Sequence, residues 1–529
     1  MKRTRKARLT IATLVGGLLL TACGSSSDDS EEAADNGPAA CTEANIGGEA
    51  SMATLSQAPG LDPVVNPGTG GSGGNEVIAL YDTLVRYDQK SDEFVPVVAK
   101  SLEPNADSTE WTLKLREEVT FGNGDPLTAQ QVRDSFARHQ DPDNRSVDYL
   151  ASLAVTEMDV VDDLTLVFHL DESWARFPTL LANMAGMITN SSVVEQQGEN
   201  FNTAPTGGGV GPYEVEKFTP GEELVLKAKD DWWGGPVCIQ TLRFVTVAGG
   251  VQPAYDAFTN GDIQLAFLRG PEVIAQAKED GAAGFSTVDN AGYTIVLNHE
   301  NGPTAEPLVR QALAAAMDPE VINERGYGGK GRPSSALIDK DSVLYDGLEG
   351  PKADATEAAD LVKQAKATGW DGHLDLPCQN SVEANNVCLA MKAQAEAAGM
   401  TVKIEPMAPN DFITKVHVDR DFEWAAWSMP LSDADPWLRL SAAVGTDGAR
   451  NAGGYSNAEM DAALTALRAA PDTAARQGAL ADVQEVWNET LPALAYGANE
   501  NYVVVDDSIK GLQESQYSQV YFDTAYIAD

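Results

Sequence analysis

The stretch Pro67-Gly68-Thr69-Gly70-Gly71-Ser72-Gly73-Gly74 holds two spacings that can carry chemistry. Gly70, Ser72 and Gly74 fit the turn that lifts a nucleophilic serine, while Gly68, Gly70 and Gly73 fit a dinucleotide-binding loop. Both need a hydrophobic strand directly before the glycines. Here the residues before them run Leu61-Asp62-Pro63-Val64-Val65-Asn66-Pro67, and two prolines remove the donors a strand needs. A low-complexity Gly/Ser loop matches such patterns by chance, so neither is adopted.

The five histidines, His139, His169, His299, His373 and His417, stand far apart. No pair has the i, i+4 spacing of a helical zinc site, and no Cys-x-x-Cys occurs. His169 alternates with Leu166, Phe168 and Leu170 and reads as an ordinary strand histidine. Acidic residues are so numerous that carboxylate pairs arise everywhere and mark nothing. Enzyme is therefore the weaker class, with no catalytic residue, metal or cofactor expected.

Cysteine carries a clearer message. Lys2, Arg3, Arg5, Lys6 and Arg8 precede the apolar run Leu9 to Leu20, the pattern of a secretory signal over residues 1–22. That run is shorter than the roughly 20 residues a membrane span needs. It ends in Leu20-Thr21-Ala22-Cys23, which resembles a lipobox, so Cys23 is expected to carry lipid. Residues 24–40 are Ser-, Asp-, Glu- and Ala-rich and read as a disordered tether. Cys41, Cys238, Cys378 and Cys388 remain, an even number that favours disulfides outside the cytoplasm. Three pairings can be drawn. The short spacing favours Cys378 with Cys388, leaving Cys41 with Cys238; four buried thiols are the less favoured alternative.

The chain has 529 residues and a formal net charge of −42. So acidic a body repels nucleic acid and anionic lipid surfaces. Its length supports two or three domains. No second apolar run is long enough to cross a membrane, so the lipid is the expected membrane contact.

The elements that would position a site alternate between strand and helix. Ile78 to Tyr87 reads as a helix leading into a strand. Trp111 to Leu115 and Leu164 to Leu170 alternate at period two, as strands do. Leu127 to His139 is a helix with Thr128 at its N-cap. Glu222 to Ala228, Thr241 to Val247 and Tyr293 to Asn298 read as strands, and Pro307 opens a helix. Helices at 353–367 and 387–398 alternate with strands at 374–376 and 401–405, followed by a helix near 474–489. This alternation predicts an α/β domain with a mostly parallel sheet.

Several stretches, in order, resemble the family 5 bacterial extracellular solute-binding proteins, which include oligopeptide- and dipeptide-binding proteins. They are Leu61-Asp62-Pro63, Leu80-Tyr81-Asp82-Thr83-Leu84-Val85 and Glu110-Trp111-Thr112-Leu113-Lys114-Leu115-Arg116. Val119-Thr120-Phe121 and Asn123-Gly124-Asp125-Pro126-Leu127-Thr128-Ala129 make the most specific match. Gly211-Pro212-Tyr213, Asp231-Trp232-Trp233-Gly234-Gly235 and Val309-Arg310-Gln311-Ala312-Leu313 continue the series. The resemblance covers roughly residues 50–505. It implies an α/β, two-lobed periplasmic-binding-protein fold (type II, with an inserted extra domain) and a ligand cleft between lobes joined by two hinge segments. It places lobe I at 42–76, 206–298 and 498–529, the extra domain at 77–205 and lobe II at 299–497. The hinge would lie near Asn298 and Tyr496. The function it implies is a lipid-anchored, monomeric binding protein on the outer face of the cytoplasmic membrane. It would deliver short peptides to the permease subunits of an ABC importer.

The resemblance also implies site residues. In peptide-binding relatives a Trp, an Asp three residues later and an Asp-Pro supply a carboxylate for the peptide's α-amino group. Here the segment is Trp427-Ser428-Met429-Pro430-Leu431-Ser432-Asp433-Ala434-Asp435-Pro436, with about two extra residues. Aligned on Asp435-Pro436 the acid position falls on Ser432; a one-residue slip puts Asp433 there. Trp427, Asp433, Asp435 and the hinge residue Tyr496 are the expected ligand contacts, with Tyr213 and Asn298 as weaker candidates. The altered spacing keeps open an oligosaccharide, an opine-like compound or a metal chelate as ligand, or an extracytoplasmic sensor reusing the fold.

Overall fold

The computed structural model describes residues 41–528. The signal sequence, Cys23 and the tether lie outside the described residues. No described helix is long and apolar enough to cross a membrane.

Alternation at period two builds the sheets. In Glu110–Leu115 the side chains of Trp111, Leu113 and Leu115 point inward, and in Thr165–Leu170 those of Leu166, Phe168 and Leu170 do the same. These strands are the middle of a four-stranded antiparallel sheet bounded by Ala99–Pro104 and Val155–Asp162. The helix Ala129–His139 covers one face of it. Thr128 caps that helix by accepting from the Gln131 N–H, and Phe136 meets Phe168 edge-on at 5.5 Å.

The large sheet has nine strands. Glu49–Thr54 runs parallel to Thr241–Thr246 and Leu265–Arg269, and the other ladders are antiparallel. Two long strands, Gly284–Leu297 and Ala493–Val505, pair along most of their length. Phe285 and Val503 pack in one hydrophobic core, whereas Ile295, Leu297, Leu494 and Tyr496 pack in another. The pair therefore links two lobes. Between those cores the register shifts twice, from Asp289 to Tyr293 and from Tyr293 to Thr294, and Ala291 takes a positive φ of 45°. Such a bulge bends a ladder locally.

One expectation needs correction. The region beyond residue 293 lacks a mostly parallel sheet: His373–Gln379 and Thr401–Met407 form a single parallel pair. Parallel pairing needs a crossover, and the helix Val382–Ala397 supplies the one that joins them. The neighbouring strands Gly284–Leu297, Trp424–Trp427 and Ala493–Val505 pair antiparallel. Cys41 is bonded to Cys238 and Cys378 to Cys388, with S–S distances of 2.08 and 2.14 Å.

Candidate functional site

Three cavities line up beside the bulge. The first, about 240 Å³, includes Tyr87, Asp289, Ser342, Asp433 and Tyr517. The second, about 670 Å³, includes Arg269, Asp289, Tyr293, Glu383, Ser428 and Pro430. The third, about 360 Å³, includes His417, Trp427, Ser428, Arg439 and Arg450. Asp289 lines the first two and Ser428 the last two, so adjacent cavities of the cleft share a wall residue.

Asp433 is held in this cleft by the crossing strand. Its Oδ1 accepts from Asn290 Nδ2 and from Ser342 Oγ, each at 2.6 Å. Asn290 also exchanges backbone hydrogen bonds with Leu431 and accepts from the Asp339 N–H at 2.8 Å. Among the described residues Oδ2 accepts no hydrogen bond and is free for a cleft occupant. Burial raises the Asp433 carboxyl above the usual aspartate range, against the two hydrogen bonds and the nearby Arg476 charge. A cation would relieve that cost.

Trp427 forms part of the third cavity's wall, stacked on Phe412 at 5.9 Å with its ring 3.9 Å from that of His417. Asp289, at the centre of the cleft, accepts from Asn499 and Asn501 at 3.0 Å each, and burial raises its carboxyl too.

Four expected contacts sit elsewhere. Asp435 is buried and both its oxygens are used: Trp174 Nε1 donates to Oδ2 at 2.7 Å and the Trp437 N–H to Oδ1 at 3.1 Å. Tyr496 is buried under Tyr293, with centroids 5.7 Å apart, and Tyr293 in turn stacks on Tyr327 at 5.0 Å. It is Tyr293, missed in the sequence, that reaches the cleft. Tyr213 is a core residue whose hydroxyl donates to the Ile239 carbonyl at 3.0 Å. Asn298 locks a turn: its Nδ2 donates to the Arg420 and Phe422 carbonyls and its Oδ1 accepts from the Glu300 and Asn301 N–H groups. Its hydrogen-bonding capacity is spent beyond the bulge.

The segment carrying Asp433 also meets the four-stranded sheet's side of the molecule. Arg176 Nε donates to the Ala434 carbonyl at 2.7 Å, and its Nη2 lies 3.0 Å from Asp92 Oδ1. Arg476 pairs with the same Asp92 carboxylate and donates to the Asp433 carbonyl at 2.8 Å. Thr473 and Tyr87 hydroxyls complete the shell, at 2.6 and 2.9 Å. No sequence pattern marked Asp92, Arg176 or Arg476, because the two arginines stand 84 and 384 residues from the carboxylate they share.

The family model for bacterial extracellular solute-binding proteins, family 5, middle region, matches residues 93–451. The dipeptide-binding protein of Escherichia coli K12 is 23% identical over 482 residues, covering 85% of this chain and 89% of that protein. Among solved structures, the ABC transporter substrate-binding protein CtaP of Listeria monocytogenes superposes with a TM-score of 0.75 at 20% identity, covering 92% of this chain and all of that one. AgaA of Agrobacterium tumefaciens R10 in complex with agropinic acid gives 0.74 at 20% identity, covering 91% and 99%. With more than half its length matched and a two-lobed fold around a cleft, this chain belongs to the family 5 bacterial extracellular solute-binding proteins.

Proposed function

We propose that the chain is the substrate-binding lipoprotein of an ABC importer, anchored through Cys23, and that it captures short peptides by their α-amino group. The observation that carries this reading is Asp433, a carboxylate fixed by Asn290 and Ser342 with its second oxygen free in the cleft. A buried ammonium requires such a partner, since leaving it unpaired costs roughly several kcal/mol. The dipeptide-binding relative supports a peptide ligand.

In this reading lobe I is 42–76, 206–298 and 498–529, with 77–205 attached to it, and lobe II is 299–497, with one change. We assign the hinge to the bulge at 289–293 and its partner at 497–499, not to Asn298 and Tyr496. Residues 294–298 therefore go with lobe II, in whose core Ile295 and Leu297 pack. Ligand contacts to both lobes favour the closed form, and the permease would select that form. The likeness to AgaA supports a second reading, an opine-like amino compound in the same cleft.

Native mass spectrometry of the protein purified from its own host, without refolding, tests this. Bound peptides of a few residues, lost in Asp433→Ala, are the expected result. A non-peptide mass that survives Asp433→Ala would remove the peptide assignment.

A further inference from the structure

A fourth cavity, about 420 Å³, opens to the surface and shares no wall residue with the three of the cleft. It lies where the two long paired strands end. His299 follows Gly284–Leu297, and Leu491 precedes Ala493–Val505. His299 Nε2 donates to the Pro492 carbonyl at 3.2 Å and ties those ends together.

Part of the wall is set in advance by packing. The His299 ring meets Tyr455 edge-on at 5.1 Å. Thr490 Oγ1 accepts from the Tyr455 hydroxyl at 2.7 Å and donates to the Val486 carbonyl at 2.6 Å.

The charges on the wall are not matched within the fold. Arg310 is half-buried, and its Nη1 donates to the Thr304 and Ala305 carbonyls at 2.8 and 2.9 Å. Among the described residues its Nε and Nη2 donate to no acceptor and it makes no ion pair, in a chain with 79 acids against 37 bases. Burial and the Arg310 charge hold His299 neutral, down to about 4, so the histidine adds no second cation. Glu489 lines the same cavity and also makes no ion pair among the described residues. It sits in the last turn of the 18-residue helix Thr473–Thr490, which has no basic residue there. A helix C-terminus carries partial negative charge, so this carboxylate adds to the dipole instead of offsetting it.

One cavity thus presents a guanidinium short of acceptors and a carboxylate set against a helix end. A solute carrying both opposite charges relieves both. We propose that this cavity is a second solute site, outside the cleft, for a small zwitterionic amino acid, with its carboxylate on Arg310 and its ammonium on Glu489 at the end of Thr473–Thr490. The volume lies near the lower end of ligand cavities, about 300–1,000 Å³, and suits one amino acid better than a peptide. The inference goes beyond the cleft reading and does not depend on it.

The test is calorimetric titration of the full mature protein. Glycine, 4-aminobutyrate and 6-aminohexanoate vary the distance between the two charges; butyrate and butylamine carry one charge each. At least one of the three amino acids is expected to bind saturably, about ten-fold more tightly than butyrate or butylamine. Asp433→Ala should leave that binding unchanged. Glu489→Gln, at an exposed position, should weaken it about ten-fold. Ser456→Trp, which fills the cavity from another exposed wall position, should abolish it. Arg310→Gln should weaken it likewise, with Tm measured alongside because Arg310 also holds two carbonyls. No saturable binding of any amino acid, or binding unchanged in both Glu489→Gln and Ser456→Trp, would overturn the site. Butyrate or butylamine binding as tightly as the amino acids would overturn the zwitterion assignment. Loss of binding in Asp433→Ala would put the amino acid in the cleft and overturn the second site, whereas loss of peptide alone in that variant leaves it standing.

Discussion

Trp174 donates its indole N–H to Asp435 at 2.7 Å, from a stretch beside the four-stranded sheet to the segment that presents Asp433. With both groups buried, the bond ties the segment that carries Asp433 to the four-stranded sheet's side of the molecule. Trp174→Phe keeps the aromatic packing against Trp437 and removes the donor, leaving a buried carboxylate oxygen unsatisfied. A loss of about 1–3 kcal/mol is expected, borne by the closed form. Ligand affinity should fall about ten-fold, with small-angle scattering showing a more open ligand-free protein. Unchanged affinity and scattering would show that the bond does not help hold the cleft.

Asp92 has a larger part in the same contact. Arg176, Arg476, Thr473 and Tyr87 all converge on it, and two of these are arginines whose charge it neutralises. Asp92→Ala leaves two buried guanidiniums without their carboxylate and is expected to cost about 3–5 kcal/mol. Thermal unfolding should show a much lower Tm. Asp92→Asn, which keeps the shape, should recover only part of it. A Tm within a degree of wild type in Asp92→Ala would contradict the account.

The carboxylate proposed to receive the amine, Asp433, carries a pH dependence. Burial raises Asp433 above the ordinary aspartate value, so without ligand it takes up a proton earlier as pH falls. Only the ionised form pairs with an ammonium. Affinity for Ala-Ala-Phe is therefore expected to be full near neutrality and to decline on acidification sooner than an ordinary aspartate would allow. Calorimetry across pH checks this; a flat profile through the acidic range would rule out Asp433 as the amine partner.

Much of the scaffold was legible because it rests on local rules. The alternation in Trp111–Leu115 and Leu164–Leu170 and the Thr128 cap are written in neighbouring residues, and the structure has them in place. The parallel-sheet expectation erred because periodicity marks a strand without fixing its partner. Ala493–Val505, which pairs with three other strands, was not read as a strand at all. The site was less legible for the same reason. Trp427 and Asp433 stand out through the motif they resemble, whereas Tyr293 is an ordinary residue until the fold places it at the cleft. Asp435 and Tyr496 carry the motif's identity, but Trp174 and Tyr293 already occupy them.

The two disulfides close loops of very different length, with sequence separations of 197 and 10. On a loop-entropy account the longer loop stabilises by about 5 kcal/mol and the shorter by about 3 kcal/mol. Cys238→Ser should therefore lower Tm more than Cys388→Ser. The reverse order would mean that native-state strain or residual unfolded structure dominates. Alkylation before reduction should label none of the four cysteines.

Glu76 couples stability to pH with a sign unlike that of an ordinary surface acid. It lies fully buried in the helix after the glycine-rich loop, and neither of its oxygens has a hydrogen-bond partner. Burial pushes its carboxyl up to about 8; its own backbone N–H and those of Ala58 and Gly73 lie near without meeting hydrogen-bond geometry and offset only part of that cost. In the unfolded chain the group titrates near 4.5. Between these values the folded protein holds a proton that the unfolded chain has released. The associated stability is complete below pH 4.5 and is lost progressively as pH rises to and through 8, a few kcal/mol in all on the order given by linkage. Glu76→Gln imitates the protonated form at every pH. Its Tm should match wild type at pH 4.5 and exceed it by several degrees at pH 9. Parallel Tm curves from pH 4.5 to 9 would mean that the wild-type carboxylate ionises inside the fold at no cost, through water or a shifted backbone.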